Sequence, residues 1–198
     1  MVAPVSEIYL VRHGESLSNV EGRFCGQPPG PGLTPRGRAQ ALAAAALLPQ
    51  RAVSVVSSPL LRAVETAQAY TAAVDVRTEL RETGLGAWDG SLQAELVDVP
   101  RFRSWRQDPE NCPPPGGERL SEMAVRIGGL LRTMAALGDV VAYSHMHPII
   151  GFLLDALGRS YADHASLRIP NATVVRMEWD GERFRLVEID RSPSLVEG

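Results

Sequence analysis

Lysine is absent from this sequence. All 20 basic residues are arginine, which a GC-rich codon bias explains, and the absence closes off Schiff-base chemistry and any lysine-held phosphate. Cysteine is nearly absent too. Cys25 and Cys112 make neither a disulfide framework nor a zinc cluster, and the expected setting is a reducing one, the cytoplasm. No apolar run approaches the roughly 20 residues of a membrane span; Ala39 to Leu48, among the longest, is broken by Gln40. Met1 to Glu7 lacks the basic stretch and apolar core of a signal peptide. The net charge of -3 is too mild to argue for a nucleic-acid or anionic-membrane partner. Neither a repeat nor a long low-complexity segment is present.

What is there reads as one globular domain over residues 1–198. Proline and glycine crowd into Gly26–Gly32 and Pro109–Gly117, which excludes helix and ladder from both. Elsewhere strand and helix signals alternate. Ile8–Val11, Val53–Val56, Val74–Arg77 and Val140–Tyr143 are short apolar runs expected as strands. Thr34-Pro35 opens a helix to about Leu48, and Ser58-Pro59 opens another to about Ala72 by the same cap logic. Leu120, Met123, Ala124, Ile127, Leu130, Leu131, Met134 and Leu137 form one apolar helical stripe, closed by Gly138. Ile149–Leu157 is a further helix. Val175, Met177 and Trp179, then Asp180-Gly181 and Phe184, read as a hairpin. The expected fold is α/β: a three-layer α/β/α sandwich with a mainly parallel sheet, to which the C-terminal hairpin adds an antiparallel element.

Sheets of this kind bind ligands at the carboxyl ends of their strands. Three strand ends here carry chemistry-bearing residues: Arg12-His13-Gly14-Glu15-Ser16, Ser57-Ser58-Pro59-Leu60-Leu61-Arg62, and Ser144-His145. Helix N-terminal amides together with arginines make an anion site, and guanidinium groups fork onto phosphoryl oxygens. Histidine attacks phosphorus when one ring nitrogen is free and the other is pinned as N–H. No P-loop occurs, so phosphate chemistry must run without one.

These motifs, in order, resemble the histidine phosphatase (phosphoglycerate mutase-like) superfamily. Arg12-His13-Gly14-Glu15-Ser16 with Asn19 resembles its signature, and Arg23-Phe24-Cys25-Gly26 its Arg-Phe-x-Gly. Leu33-Thr34-Pro35-Arg36-Gly37 through Ala41 is similar to its Leu-Thr-x-x-Gly helix start, and Ser57 through Ala63 to its second motif. Glu82 to Gly90, Gly116-Gly117-Glu118 and Ser144-His145 complete the series. The resemblance spans nearly the whole chain. It implies a single domain with about 78–118 as a loop and helical cover over the site.

It also implies His13 as nucleophile, with Glu82 as proton donor and later base, a role that asks for a raised pKa. Arg12, Arg62 and His145 would hold the phosphoryl oxygens. Asn19, Arg23, Gly26, Ser57 and Met146 complete the candidate phosphate- and substrate-binding set. Plainer roles compete: a helix-end cap for Asn19, helix caps for Ser57 and Ser58, an exposed side chain for Arg23. Asp89 reads as structural, Arg101, Arg103 and Arg106 as a solvated face. No metal or cofactor is expected, although His145-Met146-His147 is a His-x-His. The family usually has glycine where Met146 stands.

The implied activity is metal-independent phosphomonoester hydrolysis on a small phosphorylated metabolite. Leu85 stands where the family's mutases carry a tyrosine, and their lysine is missing, so hydrolysis is favoured over mutase-type transfer. A non-catalytic phospholigand-binding relative and a metal hydrolase built on His145 and His147 are the other readings. Oligomeric state is not readable.

Overall fold

The computed structural model describes residues 5–50, 52 and 54–190; Met1–Pro4 and Val53, on which two of the expectations above fall, lie outside them. Six strands form one sheet: β1 (Ser6–Arg12), β2 (Ser54–Ser57), β3 (Asp75–Val76), β4 (Val140–Ser144), β5 (Val174–Trp179) and β6 (Phe184–Asp190), in the order β3-β2-β4-β1-β5-β6. β1, β4, β2 and β3 run parallel, while β5 pairs antiparallel with β1 and β6 antiparallel with β5. The expected mainly parallel sheet with an antiparallel hairpin is what the chain forms. Helices α1 (Leu17–Val20), α2 (Pro35–Ala45), α3 (Leu61–Gln68), α4 (Gln93–Leu96), α5 (Pro100–Gln107), α6 (Leu120–Ala135) and α7 (Met146–Ala156) complete it.

Alternation along the central strands sorts their side chains onto two faces. Ile8, Leu10, Val140 and Ala142 join a buried cluster with Ile127 and Leu131 of α6 and Ile149 and Leu153 of α7. Tyr9, Val11, Val141 and Tyr143 point the other way, to Ala44 of α2 and Ala67 of α3. Both faces are covered, so these strands read as continuous apolar runs rather than alternating ones.

Helix bounds depart from the sequence reading where local geometry intervenes. The helix expected from Ser58-Pro59 starts later, at Leu61, because the Ser58 hydroxyl is occupied with His145 and the Leu60 amide. The helix expected at Ile149 begins at Met146. His145 is its N-cap residue, and Pro148 falls in the first turn, where its missing N–H costs no intrahelical bond. Leu137 lies past the end of α6 and is exposed, so the apolar stripe is one residue shorter than the pattern suggests.

Residues 78–118 hold two 3-10 turns (Thr78–Leu80 and Gly86–Trp88), α4 and α5. Their core is a third cluster of Leu85, Trp88, Leu96, Phe102 and Trp105, against which Phe24 packs. Its rings meet edge-on at centroid distances of 5.6–5.7 Å.

Candidate active site

β1, β4 and β2 are neighbours, and their carboxyl ends deliver Arg12-His13, Ser144-His145 and Ser57-Ser58 to one place. The loop before β5 braces the same edge. The Ala172 amide bonds to the carbonyls of Arg12 and His13, and Asn171 Nδ2 donates to the His13 carbonyl at 3.1 Å. Ala172 holds φ 60°, a left-handed conformation that costs a non-glycine residue of order 1 kcal/mol and is retained because both hydrogen bonds depend on it.

The ring of His13 is buried, and its neighbours fix its tautomer. Nδ1 lies 2.7 Å from the Gly14 carbonyl, which only accepts, so Nδ1 carries the hydrogen. Nε2 lies 3.3 Å from Arg62 Nε, which only donates, so Nε2 is the bare nitrogen. Burial, and then the charges of Arg62 and Arg12, hold the imidazole well below its ordinary 6.5. A neutral ring with a free Nε2 is the form that attacks phosphorus.

Arg62 is also buried. Its guanidinium donates to the Cys25 carbonyl at 2.7 Å and the Gly26 carbonyl at 3.3 Å, which aims it at His13. Arg12 donates to the Ile169 carbonyl at 2.6 Å, and burial lowers its pKa to about 10, leaving it cationic at neutral pH. His145 Nε2 meets Ser58 Oγ at 2.8 Å, an oxygen that also accepts from the Leu60 amide at 3.3 Å. The Nδ1 of His145 is buried and has no partner among the described residues. Its ring centroid is 5.0 Å from that of His13.

Glu82 approaches from the cover. Its Oε1 accepts from the Thr83 amide at 2.8 Å and the Thr83 hydroxyl at 3.2 Å, and His147 Nδ1 is 3.8 Å away. Arg12, His13, Arg62 and Glu82 line one cavity of about 110 Å³. Asn19, Arg23 and Met146 line it as well. Asn19 Oδ1 also caps α1 by accepting from the Ser16 amide at 3.0 Å. Arg23 is half-exposed and reaches both Glu21 and the Gly90 carbonyl.

Gly26, Ser57 and His145 do not line the cavity; His145 lies behind His13, at a ring-centroid distance of 5.0 Å. Gly26 serves the cavity indirectly: its carbonyl takes Arg62, its amide donates to Asp89 Oδ1 at 3.1 Å, and a Cβ there would fall 2.2 Å from that oxygen. Asp89 accepts from that amide, and burial holds its carboxyl above the ordinary range. The Ser57 hydroxyl turns to the Ser58 carbonyl. Arg101 and Arg103 bond to outer carbonyls of the cover. Phe24 and Gln93 also line the cavity and were not legible as site residues; His147, weighed in the sequence only as a metal ligand, lines it too. His145 and His147 turn to different partners, Ser58 and Glu82, and among the described residues no three His, Cys, Asp or Glu side chains gather as a metal set. Both cysteines are free, and no helix among the described residues is long and apolar enough to cross a membrane.

A family model described as the histidine phosphatase superfamily (branch 1) matches residues 8–191. The chain belongs to the histidine phosphatase superfamily. Within that family, a bifunctional protein of Mycobacterium tuberculosis is 36% identical over 182 residues, covering 83% of this chain and 50% of that protein. The chain thus spans about half the length of that relative. Phosphoserine phosphatase 1 of Hydrogenobacter thermophilus is 33% identical over 184 residues, 87% of each chain. The structure of a mycobacterial glucosyl-3-phosphoglycerate phosphatase with VO3 superposes with a TM-score of 0.82 at 32% identity, over 92% of this chain and 97% of the other. The resemblance read from the ordered motifs is borne out, as is the α/β fold of this superfamily.

Proposed function

We propose that the protein is a phosphomonoester hydrolase working through a phosphohistidine on His13. The observation that carries the reading is the fixed tautomer of His13, whose bare Nε2 faces the Arg62 guanidinium at the cavity both side chains line. Nε2 attacks phosphorus in line with the leaving oxygen. Arg12, Arg62 and His145 hold the equatorial oxygens and neutralise the charge that builds there, each such donor contributing about 100- to 1000-fold in rate. Asn19 adds a polar contact at the cavity wall. Glu82 gives a proton to the leaving oxygen as the P–O bond breaks, then takes one from the water that attacks the phosphohistidine. The histidine returns neutral, and inorganic phosphate leaves. The protein cations supply the charge neutralisation, so the proposed cycle calls on no metal or cofactor.

The substrate is a small phosphorylated metabolite. A cavity of about 110 Å³ suits a compact ester, and relatives are named for glucosyl-3-phosphoglycerate and phosphoserine. Arg23 and Gln93 at the wall are the groups available to a polar leaving portion. Hydrolysis is preferred over mutase-type transfer because buried Leu85 lines the cavity and no lysine exists to hold a substrate carboxylate. The test is an acid-labile, alkali-stable phosphoenzyme trapped by rapid quench, together with turnover of an aryl phosphate in excess EDTA. Both are expected in the wild type and absent in His13→Ala. Phosphoenzyme or turnover that survives in His13→Ala refutes the mechanism.

A further inference from the structure

His147 lines the cavity, yet the cycle above gives it no task. It sits in the first turn of α7, two residues beyond His145. The helix turns it away from Ser58 and toward the cover, where its Nδ1 stands 3.8 Å from Glu82 Oε1. Both side chains are largely covered, at 21% and 13% exposure. The imidazole packs against Trp105 at a centroid distance of 5.5 Å, so the aromatic core of the cover fixes its place. The Thr83 amide and hydroxyl meet the same oxygen of Glu82.

We propose that His147 is a positioning residue for Glu82: its Nδ1–H joins the Thr83 donors in pinning Oε1, which leaves Oε2 to carry the proton toward the leaving oxygen. This rests on the reading of Glu82 as general acid. At 3.8 Å the contact is electrostatic. A hydrogen bond at about 2.9 Å requires an approach of roughly 1 Å, the kind of tightening that substrate binding brings to catalytic contacts. The protonation state suits the task. Burial holds the imidazole below its ordinary value, with Arg12, His164 and Arg106 pushing the same way and Glu82 opposing. The Glu82 charge is also felt by Arg12 and Asp89. A neutral ring donates to Glu82 without demanding that it ionise, whereas an imidazolium would hold it as carboxylate and oppose its acid step.

The test compares kcat/KM on two esters, because an alkoxide needs a proton to leave and p-nitrophenolate does not. Wild type, Glu82→Gln, His147→Leu and His147→Asn are assayed on an alkyl phosphate and on p-nitrophenyl phosphate. Glu82→Gln is expected to lose about 100-fold or more on the alkyl ester and far less on the aryl ester. His147→Leu shows the same split at about 10-fold, and His147→Asn, whose amide nitrogen stands near the position of Nδ1, restores most of the alkyl activity. If Glu82→Gln splits the esters and His147→Leu loses equally on both, or if the asparagine rescues nothing, the positioning role is overturned. If Glu82→Gln itself shows no split, the acid assignment falls and the inference falls with it.

Discussion

His13 and His145 are both buried, with ring centroids 5.0 Å apart; a carbonyl faces one ring and a serine hydroxyl the other. His13, His145 and His147 are all lowered from the ordinary 6.5, burial being the main cause in each case. The sign of the stability effect follows. Above about pH 6.5 these rings are neutral in the folded and unfolded chains alike. Below it, the unfolded chain takes up protons that the folded one refuses, so stability declines as pH falls toward the depressed values. Thermal melts between pH 7.5 and 5 should show Tm falling, and replacing His145 by Gln should flatten that slope. A slope unchanged in the variant would mean that His145 is not held neutral.

At the scale of elements, the site depends on two backbones touching. The loop after β1 lies on the first turn of α2 so closely that a Cβ on Gly14 would sit 2.4 Å from the Gly37 carbonyl, and one on Gly37 would sit 2.0 Å from the Glu15 carbonyl. Thr34 ties the same contact, capping the Gly37 amide at 2.9 Å and reaching Glu15 Oε1 at 2.8 Å. Gly37→Ala should therefore cost about 1–3 kcal/mol by overpacking. It should also lower kcat by shifting the Gly14 carbonyl that pins His13. Urea unfolding and steady-state kinetics on the same preparation would check both; a fully stable and active alanine variant would contradict the close contact. Sequence alone pointed to these glycines through the motif, and to β1 and β4 through their apolar runs, because both signals are local. It did not show the start of α7 at Met146, where a proline in the first turn masked the helix. Nor did it show His147 meeting Glu82, or Asn171 and Ala172 meeting β1. Those contacts join residues 65 or more positions apart, and no periodicity encodes them.

For the molecule as a whole, the clusters divide the labour. Two bury the faces of the sheet, and the third holds the cover together by itself. The cover contributes Glu82 and the Trp105 wall, while the sheet contributes His13 and His145. A unit with its own small core is expected to open at lower free energy than the sheet. Native-state hydrogen exchange should find α5 amides exchanging through a partial opening, and β4 amides only through global unfolding. Equal protection of the two would mean that cover and sheet unfold as one.

β1 lies in the interior of the sheet and precedes both of its partners in the chain. Its hydrogen-bonding partners, β4 and β5, begin at Val140 and Val174, and Arg12 donates to a carbonyl 157 residues later. Until those segments emerge, the apolar strand that leads into His13 has unpaired edges on both sides. Such non-local pairing slows folding and exposes sticky backbone meanwhile. The arrangement that braces His13 in the finished sheet therefore leaves the nascent chain exposed to aggregation, and makes the yield of folded protein sensitive to how fast the segments carrying β4 and β5 are translated.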